Sequence, residues 1–118
     1  MEENIYPRKL TLPQQALAIE LGGLLLFSWK QTELNFPALV LEAVFTATEK
    51  GIQLEHGAFS ETDSIEWNLG EMEEDIMALA DRLWKLMRRD WKVLTVSIDP
   101  VTRFCDQTFF GQKTSRPT

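Results

Sequence analysis

Apolar side chains recur at steps of three and four through Met72, Ile76, Leu79, Leu83 and Leu86, with Met77, Ala80, Trp84 and Met87 widening the stripe. That period is helical and predicts a helix with a broad face to bury. After Asp90 the period drops to two: Leu94, Val96 and Ile98 point one way, and Trp91, Val93, Thr95 and Ser97 the other. A strand therefore starts where the helix stops. Asn68 and Glu71 have the spacing of a capping box, and Trp67 and Met72 that of a hydrophobic staple, so the pattern predicts Asn68 as N-cap. Glu71, Glu73, Glu74 and Asp75 at the start and Lys85, Arg88 and Arg89 at the end favour the helix macrodipole. Asp99-Pro100-Val101-Thr102 predicts a type I turn, and 103–110 a returning strand.

Upstream, Thr11 followed by Leu12 and Pro13 reads as an N-cap with proline in the first turn, opening a helix to about Lys30. A hairpin turning at Gly22-Gly23 is the competing reading, and the specific cap favours the helix. Alternation over 38–48 puts Leu39, Leu41, Ala43 and Phe45 on one face. Glu49-Lys50-Gly51 turns the chain, and Ile52, Leu54, His56 and Ala58 return as a second strand. Residues 1–10 read as a loosely held arm and 112–118 as a mobile tail around a single domain. The expected fold is a two-layer α+β domain: an antiparallel sheet of about four strands, two helices on one face, order α-ββ-α-ββ.

A chain of 118 residues suffices for one core but not two. Its net charge of −6 and pI near 4.8 argue against a nucleic-acid binder, which needs a Lys/Arg surface to displace counterions. The longest apolar run, 16–29, is interrupted by Glu20 and falls short of the roughly 20 residues of a membrane span. The acidic start at 1–4 has the wrong charge for a secretory leader, and the single Cys105 excludes an internal disulfide, so a cytoplasmic protein is expected.

Charge is unevenly distributed. Residues 1–70 hold ten acids and four bases, whereas 71–118 hold eight of each. From Glu55 to Asp75 there are eight acids and no Lys or Arg. Solvated loop acids and dipole-favouring acids account for such a run in most proteins. The functional reading is a docking surface for a basic protein partner, with Glu61, Asp63, Glu66, Glu71, Glu73 and Glu74 as contacts; Asp75 lies nearer the helix stripe and is left out. No D-x-D-x-D-G loop is present and the acids are not interleaved with His or Cys, so neither a metal nor another cofactor is expected.

His56 and Cys105 are alone of their types, and a base–nucleophile pair requires that they meet in space. A small enzyme using that pair is the weakest of the functional readings. Trp67, Trp84 and Trp91 already have places as staple, helix stripe and strand opening, which leaves Trp29 as the remaining tryptophan.

The helix ending Leu86-Met87-Arg88-Arg89-Asp90, the strand from Trp91 through Asp99-Pro100, and Phe104 with Phe109-Phe110 together resemble the closing half of small immunity proteins of the YezG-like group. The resemblance spans about residues 75–111. It implies an acidic α+β antitoxin that occludes a co-encoded basic toxin, often a nuclease, without doing chemistry. The turn here lacks the usual Gly and the last strand the usual Tyr-Asp pair, so no binding residue transfers by motif. Size, low pI and helix-then-strand order are also similar to acidic secretion chaperones, which clamp an effector segment as homodimers. That resemblance implies the alternative function, although the third helix usual there has no counterpart in 112–118.

Overall fold

The computed structural model describes the backbone of residues 2–4 and residues 10–112. The elements are β1 (Glu2–Asn4), α1 (Leu12–Gln31), β2 (Val40–Thr48), β3 (Gly51–Phe59), β4 (Ser64–Ile65), α2 (Met72–Leu86), β5 (Val93–Ile98) and β6 (Cys105–Gln112). They form an α+β domain whose described strands make one antiparallel sheet in the order β1-β6-β5-β2-β3-β4. Four long strands match the expected number, and two short edge strands add to it. Residues 2–4, expected in a loose arm, run along β6, and Gln112, expected in the tail, pairs with Glu2. The remainder of both terminal segments lies outside the described residues.

α1 begins where the cap predicts. The Thr11 hydroxyl accepts from the Gln14 amide at 3.3 Å, and the Gln14 side chain accepts from the Thr11 N–H at 3.0 Å, so two orphan donors are satisfied reciprocally. α2 does not begin at its predicted cap. The Asn68 side chain accepts from Gly70 N–H at 2.8 Å, and Gly70 takes φ +61°, which breaks any helix before it has turned once. The helix starts at Met72 with Glu71 as an N-cap that makes no side-chain hydrogen bond. α2 ends in a Schellman arrangement, Arg89 N–H to Trp84 O and Arg88 N–H to Lys85 O, with Arg88 at φ +60° where glycine is usual.

Strand register explains the core. Leu41, Ala43 and Phe45 of β2 lie opposite Ile98, Val96 and Leu94 of β5, and opposite Ala58, His56 and Leu54 of β3, so one face of the sheet carries nearly all its buried apolar residues. Leu21, Leu25 and Trp29 of α1 and Ile76, Leu79 and Leu83 of α2 close over that face in a single cluster. The opposite face carries Glu42, Thr46, Glu55, Thr95 and Ser97, none of them buried.

Trp67, expected as half of a staple, is instead a core residue. Its indole N–H donates to Ser28 Oγ at 3.0 Å, its ring meets Trp29 and His56 edge-on, and its carbonyl accepts from His56. It thus joins α1, β3 and the entry to α2. Gly22 has a different structural task. A Cβ built there would lie 2.6 Å from Cys105 Sγ, so glycine lets α1 approach the start of β6.

The loop between β5 and β6 is held by Asp99. Its Oδ1 accepts from Val101 N–H at 2.8 Å and Thr102 N–H at 3.1 Å, while Arg103, at φ +68°, donates its N–H to Asp99 O. The backbone donors, Thr102 first and Val101 second, hold the Asp99 carboxyl below its ordinary value. A depressed carboxyl pKa stabilises the fold above the unfolded value and loses that contribution as pH falls through the folded one. The stability gap between wild type and Asp99→Ala should therefore be present at about pH 6 and shrink towards about pH 2. Thermal unfolding across that range checks this, and a gap independent of pH would contradict it.

Candidate functional site

The six predicted contact residues all lie between the end of β3 and the first turn of α2, and all are exposed. Glu61 and Asp63 sit on a loop closed on itself: Ser60 Oγ accepts from the Thr62 and Asp63 amides, and Ser60 N–H donates to Asp63 O. Thr62 Oγ1 also donates to Asp63 Oδ2 at 3.1 Å. The hydrogen bonds fix the loop backbone and leave the Glu61 carboxylate in solvent. Glu66 follows β4, Glu71 caps α2, and Glu73 and Glu74 occupy its first turn with Asp75. Those first-turn acids favour the helix dipole. Glu61, Asp63 and Glu66 have no such structural reason.

No Lys or Arg among the described residues forms an ion pair with any of the six; the pair formed within α2 is Lys85 with Asp81, at 2.8 Å. Among the described residues, therefore, no ion pair compensates their negative charge. Two recesses border it. One, of about 650 Å3, lies between the C-terminal end of α1 and the entry to α2, with Glu66 and Glu71 on its lining beside Phe27, Leu34 and Met72. Phe27 and Leu34 are each 47% exposed, so apolar surface adjoins the carboxylates. The other, of about 310 Å3, brings Glu42 of β2 and Glu55 of β3 together with Glu66. Glu66 lines both.

Glu42 and Glu55 were not singled out as contacts by sequence reasoning. Glu42 lies opposite Gly57 and Glu55 opposite Val44, so the two are diagonal neighbours on the open face of the sheet. Strand alternation placed Glu42 away from the core face, but its proximity to Glu66 depends on how β4 pairs along β3. Among the described residues no group of three or more His, Cys, Asp and Glu could hold a metal ion.

The structure does not bring His56 and Cys105 together. His56 shares a row with Ala43, Val96 and Gln107, whereas Cys105 shares one with Ile98, Leu41 and Ala58. Three strand spacings separate them, about 14 Å at roughly 4.8 Å each, with a further offset along the strands. His56 Nε2 donates to the Trp67 carbonyl at 2.6 Å, and Nδ1 is buried with no hydrogen-bond partner among the described residues. Burial pushes the Cys105 thiol up, against the hydrogen bond from Gln107, and the Asp106 charge raises it further. A raised pKa reduces the nucleophilic thiolate.

A further recess flanks α1, about 700 Å3 in volume, over Ala18, Gly22, Ile98 and Cys105, with Lys30 and Arg103 as the charged residues on its lining among the described residues. Sequence pattern gave no sign of it, since its floor is assembled from a helix and a strand more than 70 residues apart. No helix among the described residues is long and apolar enough to cross a membrane. No family model, curated protein or solved structure matches the chain.

Proposed function

We propose that this chain is a non-enzymatic binding protein that recognises a basic protein through its acidic surface, and that it acts as an immunity protein occluding a cationic, nuclease-like toxin. The observation that carries the reading is the run of exposed carboxylates, Glu61, Asp63, Glu66, Glu71, Glu73 and Glu74, with no cation paired to any of them among the described residues. Uncompensated charge of one sign steers an oppositely charged partner and rejects like-charged ones. The recess holding Glu66, Glu71, Phe27 and Leu34 suits a Lys or Arg side chain, whose aliphatic stem packs on apolar surface while its head meets a carboxylate. Glu42 and Glu55 extend the contact onto the open sheet face.

The test is capture from an extract of the native host, with the wild-type chain and with Glu66, Glu71 and Glu74 each changed to Lys as parallel baits. Each reversal changes the charge by two, so the triple variant brings the net charge from −6 to zero. The expected result is a basic protein retained by the wild type and lost by the variant, whose circular dichroism is unchanged because all three sites are exposed. A partner retained equally by both baits, or one with an acidic contact surface, would reject the reading.

A further inference from the structure

α1 is apolar nearly all round, and a helix of that kind ordinarily has both faces covered. Its inner face is in the core, yet Leu12 is 79% exposed, Ile19 68% and Phe27 47%. At 3.6 residues per turn, Leu12, Ala16, Ile19, Gly23, Phe27 and Lys30 fall within about 80° of arc, a continuous outer strip. Among the described residues nothing covers it.

Gly23 lies in the middle of the strip. A Cβ built there would meet no atom of the described residues within 4 Å, so unlike Gly22 it serves no packing purpose among them, while glycine in a helix interior costs stability relative to alanine. Gly23 leaves a notch on the lip of the 700 Å3 groove, one turn from the exposed ring of Phe27. A notch and a knob on the same strip are self-complementary under a two-fold axis. The axis that seats Phe27 of one copy at Gly23 of another passes between the two helices at the height of residue 25. That height is also midway between Glu20 and Lys30, both exposed, so the same operation sets each copy's Glu20 level with the other's Lys30.

We propose that the chain forms a two-fold symmetric dimer through the outer strip of α1, the two helices antiparallel, with Phe27 of each copy in the Gly23 notch of the other. Shape and charge fix one register, and the buried apolar strip supplies the driving force. The dimer does not depend on the immunity reading: it takes Phe27 out of the recess beside Glu66 and Glu71, and the carboxylates themselves stay exposed in a monomer or a dimer.

Sedimentation velocity over a concentration series reads the outcome. The wild type is expected to reach dimer mass. Gly23→Leu projects only into solvent in the isolated chain, so it should leave the circular dichroism intact and shift the protein to monomer. Glu20→Lys and Lys30→Glu should each weaken the dimer several-fold, and the double swap should restore it. A wild type that is monomeric at every concentration would overturn the proposal. So would a dimer that Gly23→Leu leaves intact, or a double swap as weak as the single variants.

Discussion

Trp67→Ala is expected to destabilise the domain by about 4 kcal/mol, enough to lower its melting temperature by roughly 15 °C. The side chain is 2% exposed and packs edge-on against Trp29 at 5.6 Å and His56 at 4.6 Å between ring centroids. Truncation leaves a cavity walled by α1 and β3, which belong to different layers and cannot collapse independently. Trp67→Phe separates the contributions. It keeps most of the ring but loses the indole donor to Ser28, whose hydroxyl still donates to Leu25 O at 2.7 Å, so the expected cost is about 1 kcal/mol. Chemical denaturation of both variants checks this. Equal losses would mean that the hydrogen bond, and not the packing, holds the three elements together.

The second large effect is a reversal of sign. Gly22→Ala gains roughly 1 kcal/mol of helix propensity but forces its Cβ against Cys105 Sγ, an overpacking cost of about 1–3 kcal/mol. The Cys105 thiol also accepts from Gln107 Nε2 at 3.2 Å, so moving it aside breaks that contact. The single variant should be less stable than wild type. In a Cys105→Ala background the thiol is gone and the nearest atom was the Cys105 Cβ at 3.6 Å, an ordinary contact, so Gly22→Ala should there stabilise. A double-mutant cycle with a coupling of about 2 kcal/mol is the expected outcome. A Gly22→Ala effect of the same sign and size in both backgrounds would refute the close approach of α1 to β6.

Much of the fold was legible because local signals and the hydrophobic period agree. Thr11 and Pro13 announced α1, and the two-residue period of 41–45, 52–58 and 94–98 announced which side of the sheet is buried. The start of α2 was misread because Asn68 and Glu71 have cap spacing while Gly70 between them takes a left-handed φ, and one glycine at +61° outweighs the cap. The short edge strands β1 and β4 were missed because two or three residues carry no period; they exist through pairing with β6 and β3.

The candidate site was legible as charge and not as shape. Composition located the acids between residues 55 and 75, but Glu42 and Glu55 join Glu66 only through the pairing of three strands. The recess beside Glu71 likewise needs Phe27 and Leu34, brought from the end of α1. α1 is apolar on nearly every side, and only the burial pattern separates an inner face built on Leu21, Leu25 and Trp29 from an outer one carrying Ile19 and Phe27.

The most direct test of the acidic surface as a partner-facing one is the association rate with the captured partner, measured by stopped flow over a series of salt concentrations. Steering by the exposed carboxylates predicts a rate that falls steeply as salt screens them, by about tenfold or more, and a nearly flat dependence for the Glu66, Glu71 and Glu74 reversal. A wild-type rate indifferent to salt would contradict it.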